Sequence, residues 1–144
     1  MKKLILLLFI PLVFACSDDS NSTNEVELQI GDIHEGGIIF YIDSSGQSGL
    51  VAATQDLGGM NWGEAKGLES DDWYLPSIIQ LGEMYNTIGQ GANNIGEFAD
   101  GTYWSGSYTG NNPVHVSIFN FANGTASNGW NPVLNLRVRF ISQF

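Results

Sequence analysis

Residues 71–89 read Asp-Asp-Trp-Tyr-Leu-Pro-Ser-Ile-Ile-Gln-Leu-Gly-Glu-Met-Tyr-Asn-Thr-Ile-Gly and restrict the fold more than any other stretch. Ser77 followed three residues later by Gln80 is a capping box, in which the hydroxyl takes a free amide of the first helical turn and the glutamine reaches back. Pro76 cannot continue a helix from upstream and biases Leu75 toward an extended conformation. Beyond the cap, Ile78, Leu81, Met84, Tyr85 and Ile88 recur at the spacing of one helical face. Gly89 stands where a left-handed residue would end the helix. The stretch predicts an extended segment carrying Trp73 and Leu75 into the core, a corner at Pro76, and an amphipathic helix of about three turns.

Upstream, Gly36 to Asp43 and Gly49 to Ala53 are two apolar, β-branched runs around the glycine-containing turn Ser44-Ser45-Gly46, the pattern of a hairpin. The first run is apolar on both faces and belongs inside a sheet. Asn61 and Glu64 form a second capping box, opening a short helix with Trp62, Ala65 and Leu68 on its apolar face. Residues 89–101 are a loop by their glycine and asparagine content, with Ile95 and Phe98 tucked inward. Strands follow at 102–105 and 114–121, joined onward by the turn dipeptide Asn123-Gly124. Val116 and Ile118 alternate with Phe119 and Phe121 on the opposite parity, so either both faces are covered or a bulge shifts the register. Leu134, Leu136, Val138 and Phe140 alternate as a last strand, with Arg137 and Arg139 on its other face.

The N-terminus carries a different message. Lys2 and Lys3 precede an apolar run that ends in Val13-Phe14-Ala15-Cys16, a lipoprotein signal over residues 1–15 with Cys16, the only cysteine, as lipidation site. The run is short for a bilayer span. Residues 16–25 are polar and read as a flexible tether, and 26–144 as one domain without disulfides. Once the signal is removed, Lys66, Arg137 and Arg139 stand against 15 acidic residues, a formal charge of −12. Such a chain is repelled by nucleic acid, which excludes that class of partner. Many aromatics and 18 glycines suit a loop-rich α+β domain.

The corner Asp72-Trp73-Tyr74-Leu75-Pro76-Ser77, with Tyr103-Trp104-Ser105-Gly106-Ser107 downstream, resembles the signatures of the bacterial domain first noted at the C-terminus of Legionella collagen-like proteins, the DUF1566 group. Gln80 stands where that group most often has Glu, and Gly106 where it most often has Ser. Gly36-Gly37-Ile38-Ile39-Phe40-Tyr41-Ile42-Asp43 and the lipobox are similar to lipoproteins of Bacteroidetes. The resemblance implies a C-type-lectin-like fold with two short helices and antiparallel strands, the N- and C-terminal strands adjacent. In that frame Trp73, Leu75, Pro76, Trp104, Arg137 and Arg139 are structural, the two arginines in ion pairs with carboxylates. The acids Asp18 and Asp19 after Cys16 resemble an export signal toward the outer membrane and the cell surface, or else only solvate the tether.

Catalytic signatures are thin. His34 and His115 lie in unrelated contexts, so no nucleophile has a paired base, and no catalytic residue is assigned. Asp71 or Asp72 with Glu64 or Glu83 could serve a hydrolase only if two acids faced one another; otherwise they are solvated or capping groups. Asn111-Asn112-Pro113 and Trp130-Asn131-Pro132 are fragments of the calcium-dependent sugar motifs of lectins, and loop Asp and Asn oxygens are the donors a structural Ca²⁺ would use. No metal site is assigned, and no cofactor is expected beyond that ion. What remains is binding: a monomeric, lipid-anchored envelope module that takes a glycan or protein through loops bearing Tyr108, Asn111, Asn112, Asn128, Trp130 and Asn131. The alternative is a structural or accessory subunit of an envelope complex. Trp130 either serves that face or fills the core beneath its loop, the asparagines making turns.

Overall fold

A computed structural model describes residues 27–110 and 115–144. Cys16, the signal, the tether, Asn111 and Asn112 lie outside the described residues. The architecture is α+β, mostly strand. A four-stranded sheet has the order β1-β2-β3-β9, from β1 (Ile33–His34), β2 (Gly37–Ile42), β3 (Gly49–Ala53) and β9 (Ile141–Gln143). A five-stranded sheet has the order β4-β8-β5-β6-β7, from β4 (Gly59–Met60), β8 (Leu136–Arg137), β5 (Thr102–Thr109), β6 (His115–Asn120) and β7 (Thr125–Trp130). Two helices, α1 (Trp62–Gly67) and α2 (Ile78–Thr87), complete it.

Both capping boxes form: Asn61 with Glu64 opens α1, and Ser77 with Gln80 opens α2. Leu81, Met84 and Ile88 of the α2 face are fully buried, and Ile78 and Tyr85 pack at their edge. This face meets Ile38, Phe40 and Ala52 of the first sheet and Tyr103 and Phe119 of the second, so one helix fills the space between two sheets. Tyr103 pairs with Phe119 and Trp104 with Ile118, and alternation sends the second pair to the other face of β5–β6. There Trp104, Val116 and Ile118 pack with Ala65 of α1, Leu75, Val138 and Phe140. Both answers to the Phe119/Phe121 parity therefore hold: both faces are covered, and β7 also shifts register against β6 between Val116 and Ile118.

The corner and the Tyr-Trp-Ser-Gly-Ser run turn out to be one device. Gly106 N–H donates to the Pro76 carbonyl at 2.7 Å, and Ser107 Oγ accepts the first-turn amide of Ile78 at 3.1 Å. Thus a bulge in β5 satisfies a helix amide that the cap leaves over. A Cβ on Gly106 would sit 2.9 Å from the Leu75 carbonyl oxygen, so the two segments approach this closely only with glycine there.

Several local expectations give way to tertiary contacts. Gly89 is not left-handed; the helix closes on Ile88, and Gly89 is required because a Cβ would meet Tyr85 Cα at 2.8 Å and the Phe121 ring at 3.0 Å. Leu68 is the exposed C-cap of a helix that ends one residue sooner, and Ile95 is 48% exposed while Phe98 is buried. The alternating run 134–140 is not one strand. Leu136–Arg137 pairs with β4 and β5, Val138 and Phe140 then accept from Leu57 and Ala53 across a crossing segment, and Ile141–Gln143 joins the other sheet. The last strand pairs with β3, not with β1, so first and last strands are not neighbours in the sheet. The two ends meet through side chains instead, with His34 edge-on to Phe144 at 4.6 Å.

Candidate functional site

The outer end of β5 runs past the bulge to Tyr108, where the strand pairs with β6 again. Tyr108 pairs with Val116, and Val116 pairs with Trp130 of β7, so the three residues form a row across three strands on one face. Val116 is fully buried, while Tyr108 is 54% and Trp130 38% exposed. Lying one strand to either side of Val116, the two aromatics have backbones about 10 Å apart, twice the strand spacing. Trp62 of α1 closes the row from below, its ring 5.4 Å from that of Tyr108 and its indole N–H held by the Ser105 carbonyl at 2.9 Å. Trp130 directs its own N–H to Ser127 Oγ at 3.0 Å. These bonds leave an aromatic ledge with polar rims, set on strands rather than on the loops expected for 105–135.

The other residues expected here scatter. An extra residue in β7, with Gly129 at φ 85, places Trp130 on the same face as Ser127 and turns Asn128 to the opposite one. There Asn128 Oδ1 accepts from Ser117 Oγ at 2.6 Å. Asn131 makes a turn, its Oδ1 accepting the Val133 amide at 3.1 Å. Trp130 does not fill the core. Trp73 does not either: it is half-buried at the rim of the smaller cluster, whereas Trp104 is completely buried and donates to the Met60 carbonyl at 2.9 Å. Leu75 and Pro76 are buried as expected.

The two arginines part company. Arg139 is 1% exposed and reaches Asp56 Oδ1 with Nε at 2.6 Å, the carbonyls of Ala53 and Gly96 at 2.8 and 3.0 Å, and the Phe98 ring at 4.3 Å. Tyr103 donates its hydroxyl to Asp56 Oδ2 at 2.7 Å. Burial, and next the Asp56 carboxylate, hold the Tyr103 phenol well above its ordinary range. This network pins the 89–101 loop to the hairpin and the C-terminal segment and is structural. Arg137 makes a longer and more exposed ion pair with the same carboxylate, 3.8 Å from Asp56 Oδ2.

Among the carboxylates weighed for hydrolysis, Glu64 accepts the Asn61 amide in its cap, Asp71 and Asp72 are exposed, and Glu83 lies on α2. Among the described residues, no three His, Cys, Asp or Glu side chains gather as a metal site. His115 is exposed, and His34 lies 3.9 Å from Glu35.

One signal of the ledge stands in the sequence and escapes a motif search. From Gly101 to Leu136 there is no Asp, Glu, Lys or Arg, and all 15 acidic residues precede that stretch. Strands β5, β6 and β7 are therefore free of formal charge in a strongly acidic chain. Trp62, read as a helix-face residue, joins the ledge by packing its ring against that of Tyr108. No protein-family model matches this chain, and a search of curated proteins finds no match either.

Proposed function

We propose that the protein is a monomeric, lipid-anchored recognition module of the outer membrane, exposed at the cell surface, that binds a glycan or protein ligand through the Tyr108–Trp130 ledge and catalyses no reaction. The observation that carries this reading is the row itself: two exposed aromatic residues in register on one face of three strands without formal charge. Aromatic surface is costly to leave in water and packs well on the apolar faces of sugar rings. Two aromatic residues whose backbones stand about 10 Å apart, the span of two strand spacings, suit a ligand longer than one sugar unit. With no charge on the strands, the ledge suits an uncharged polysaccharide, and a C-type-lectin-like domain of the DUF1566 group is the frame in which we place it. The second sheet's packing on both faces, and the meeting of His34 with Phe144, support that frame.

The test is affinity electrophoresis of the full chain in gels containing a neutral β-glucan, a neutral mannan or a carboxylated polysaccharide. Retardation by a neutral polymer that persists as salt is raised is the expected result, since screening has no charge to act on. Retardation by the carboxylated polymer alone, or binding lost in salt, contradicts it.

The reading as an accessory subunit draws on one observation: β7 is an edge strand with all six residues exposed and no charged or proline residue to guard it. The bulge at Gly129 kinks that edge and weakens strand addition. The anchor is tested separately. Cys16→Ser is expected to move the protein wholly from the membrane to the soluble fraction with unchanged thermal unfolding, because lipid on that residue is its sole proposed hold on the bilayer. Unaltered membrane fractionation would rule the anchor out.

A further inference from the structure

We propose that the cleft between β8 and the start of β5 binds a small zwitterion of the α-amino-acid type, its carboxylate on Arg137 and its ammonium on Asp100. The cleft measures about 460 Å³ and is lined by Gly59, Asp100, Gly101, Thr102, Asn135 and Arg137, with Leu136 behind. It exists because β5 and β8 run parallel and share only the pair Tyr103 and Arg137, so the strands part on either side of it.

Among the described residues Arg137 is the cation held most loosely, its ion pair with Asp56 being 3.8 Å long. Lys66 is paired with Glu69 at 2.5 Å, and Arg139 is buried in its network. The Asp56 oxygens nearest Arg137 are taken, Oδ1 by Arg139 and Oδ2 by the Tyr103 hydroxyl. Arg137 stays 3.8 Å away, beyond hydrogen-bond reach, and its side chain is 43% exposed. Among the described residues its guanidinium makes no hydrogen bond, and Arg137 lines the cleft, where it offers donors that suit a carboxylate. Gly101, at φ 146, keeps the flank clear: a Cβ there would stand 3.3 Å from Arg137 Nε.

Asp100 supplies the opposite charge. Its Oδ1 accepts from Gln90 Nε2 at 3.2 Å, and Gln90 is in turn held by the Phe98 carbonyl at 2.8 Å. The carboxylate is thereby positioned at the cleft wall. A simple anion would meet Asp100 and the field of a mature chain of charge −12, and a simple cation would meet Arg137. A zwitterion satisfies both walls and carries no net charge, while Thr102 and Asn135 offer further polar groups. The site is separate from the ledge, and its fate does not depend on that reading.

The full chain, in detergent and labelled with ¹⁵N, is titrated with L-alanine, acetate and ethylammonium while the arginine Nε–H signals are followed. Saturable movement of the Arg137 signal by L-alanine is expected, with acetate and ethylammonium roughly tenfold weaker or worse, the loss of one charge-assisted contact. Asp100→Asn should weaken L-alanine by a similar factor, with unshifted unfolding showing that the fold is intact. Arg137→Gln, followed by calorimetry, should abolish binding of L-alanine. Acetate binding as tightly as L-alanine, Asp100→Asn or Arg137→Gln binding L-alanine like the parent, or no saturable movement with any probe overturns the proposal.

Discussion

Arg139→Ala is expected to lower stability by about 3–5 kcal/mol, the range for breaking a buried pair by removing one partner. Three of its partners are fixed by the fold: Asp56, and the carbonyls of Ala53 and Gly96. With arginine gone, Asp56 keeps the Tyr103 hydroxyl but loses its buried counter-charge, and the 89–101 loop loses its tie to the hairpin. Lysine cannot restore the fork, so Arg139→Lys should remain well below the parent. Urea unfolding measures it through the midpoint at constant slope; a loss under about 1 kcal/mol would mean that the network is not structural. The same network has a pH signature. Because the folded-state pKa of Tyr103 is raised above the ordinary 10.0, its contribution is fully present below that value and is lost as pH climbs beyond it, so alkali should weaken this tie.

Trp104→Ala is expected to cost roughly 3–5 kcal/mol through the large cavity it leaves. The residue is completely buried in the smaller cluster, between Ala65, Leu75, Val116 and Val138, and its N–H holds the Met60 carbonyl that would be left unpaired. Trp73→Ala should cost distinctly less, since that ring is only half-buried at the rim of the same cluster. The comparison of the two by thermal unfolding decides which tryptophan anchors the corner. Equal losses would place Trp73 in the core after all.

What the sequence made legible is what is encoded locally. Ser77 with Gln80 and Asn61 with Glu64 state their helix starts within four residues, and the Gly37–Ile42 run states by its two apolar faces that it is an inner strand. Gly89 shows the limit of that reading: a local stop rule accounts for a glycine there, yet the reason lies in Tyr85 and Phe121, distant partners that no local pattern names. The run 134–140 alternates in sequence but not in burial, since Val138, Arg139 and Phe140 are all buried and its hydrogen bonds turn from β4 toward Leu57 and Ala53, so period alone could not place its ends. At the candidate site, Tyr108 and Trp130 were legible as residues but not as a pair. Their union depends on Val116 between them and on one extra residue in β7, which brings Trp130 to the ledge and sends Asn128 away. Exposure, too, is a tertiary property: Tyr108 packs on Trp62 yet stays 54% exposed.

On the proposed reading, Tyr108 and Trp130 form a binding surface rather than part of the core. The full chain carrying both Tyr108→Ala and Trp130→Ala is compared with the parent by affinity electrophoresis in the neutral polysaccharide that retards it most, and by thermal unfolding. Retardation should fall by roughly tenfold or more, as for loss of aromatic anchors, while the melting temperature stays within a few degrees, as for exposed positions. Undiminished retardation, or a loss of binding accompanied by a destabilised domain, would contradict the account.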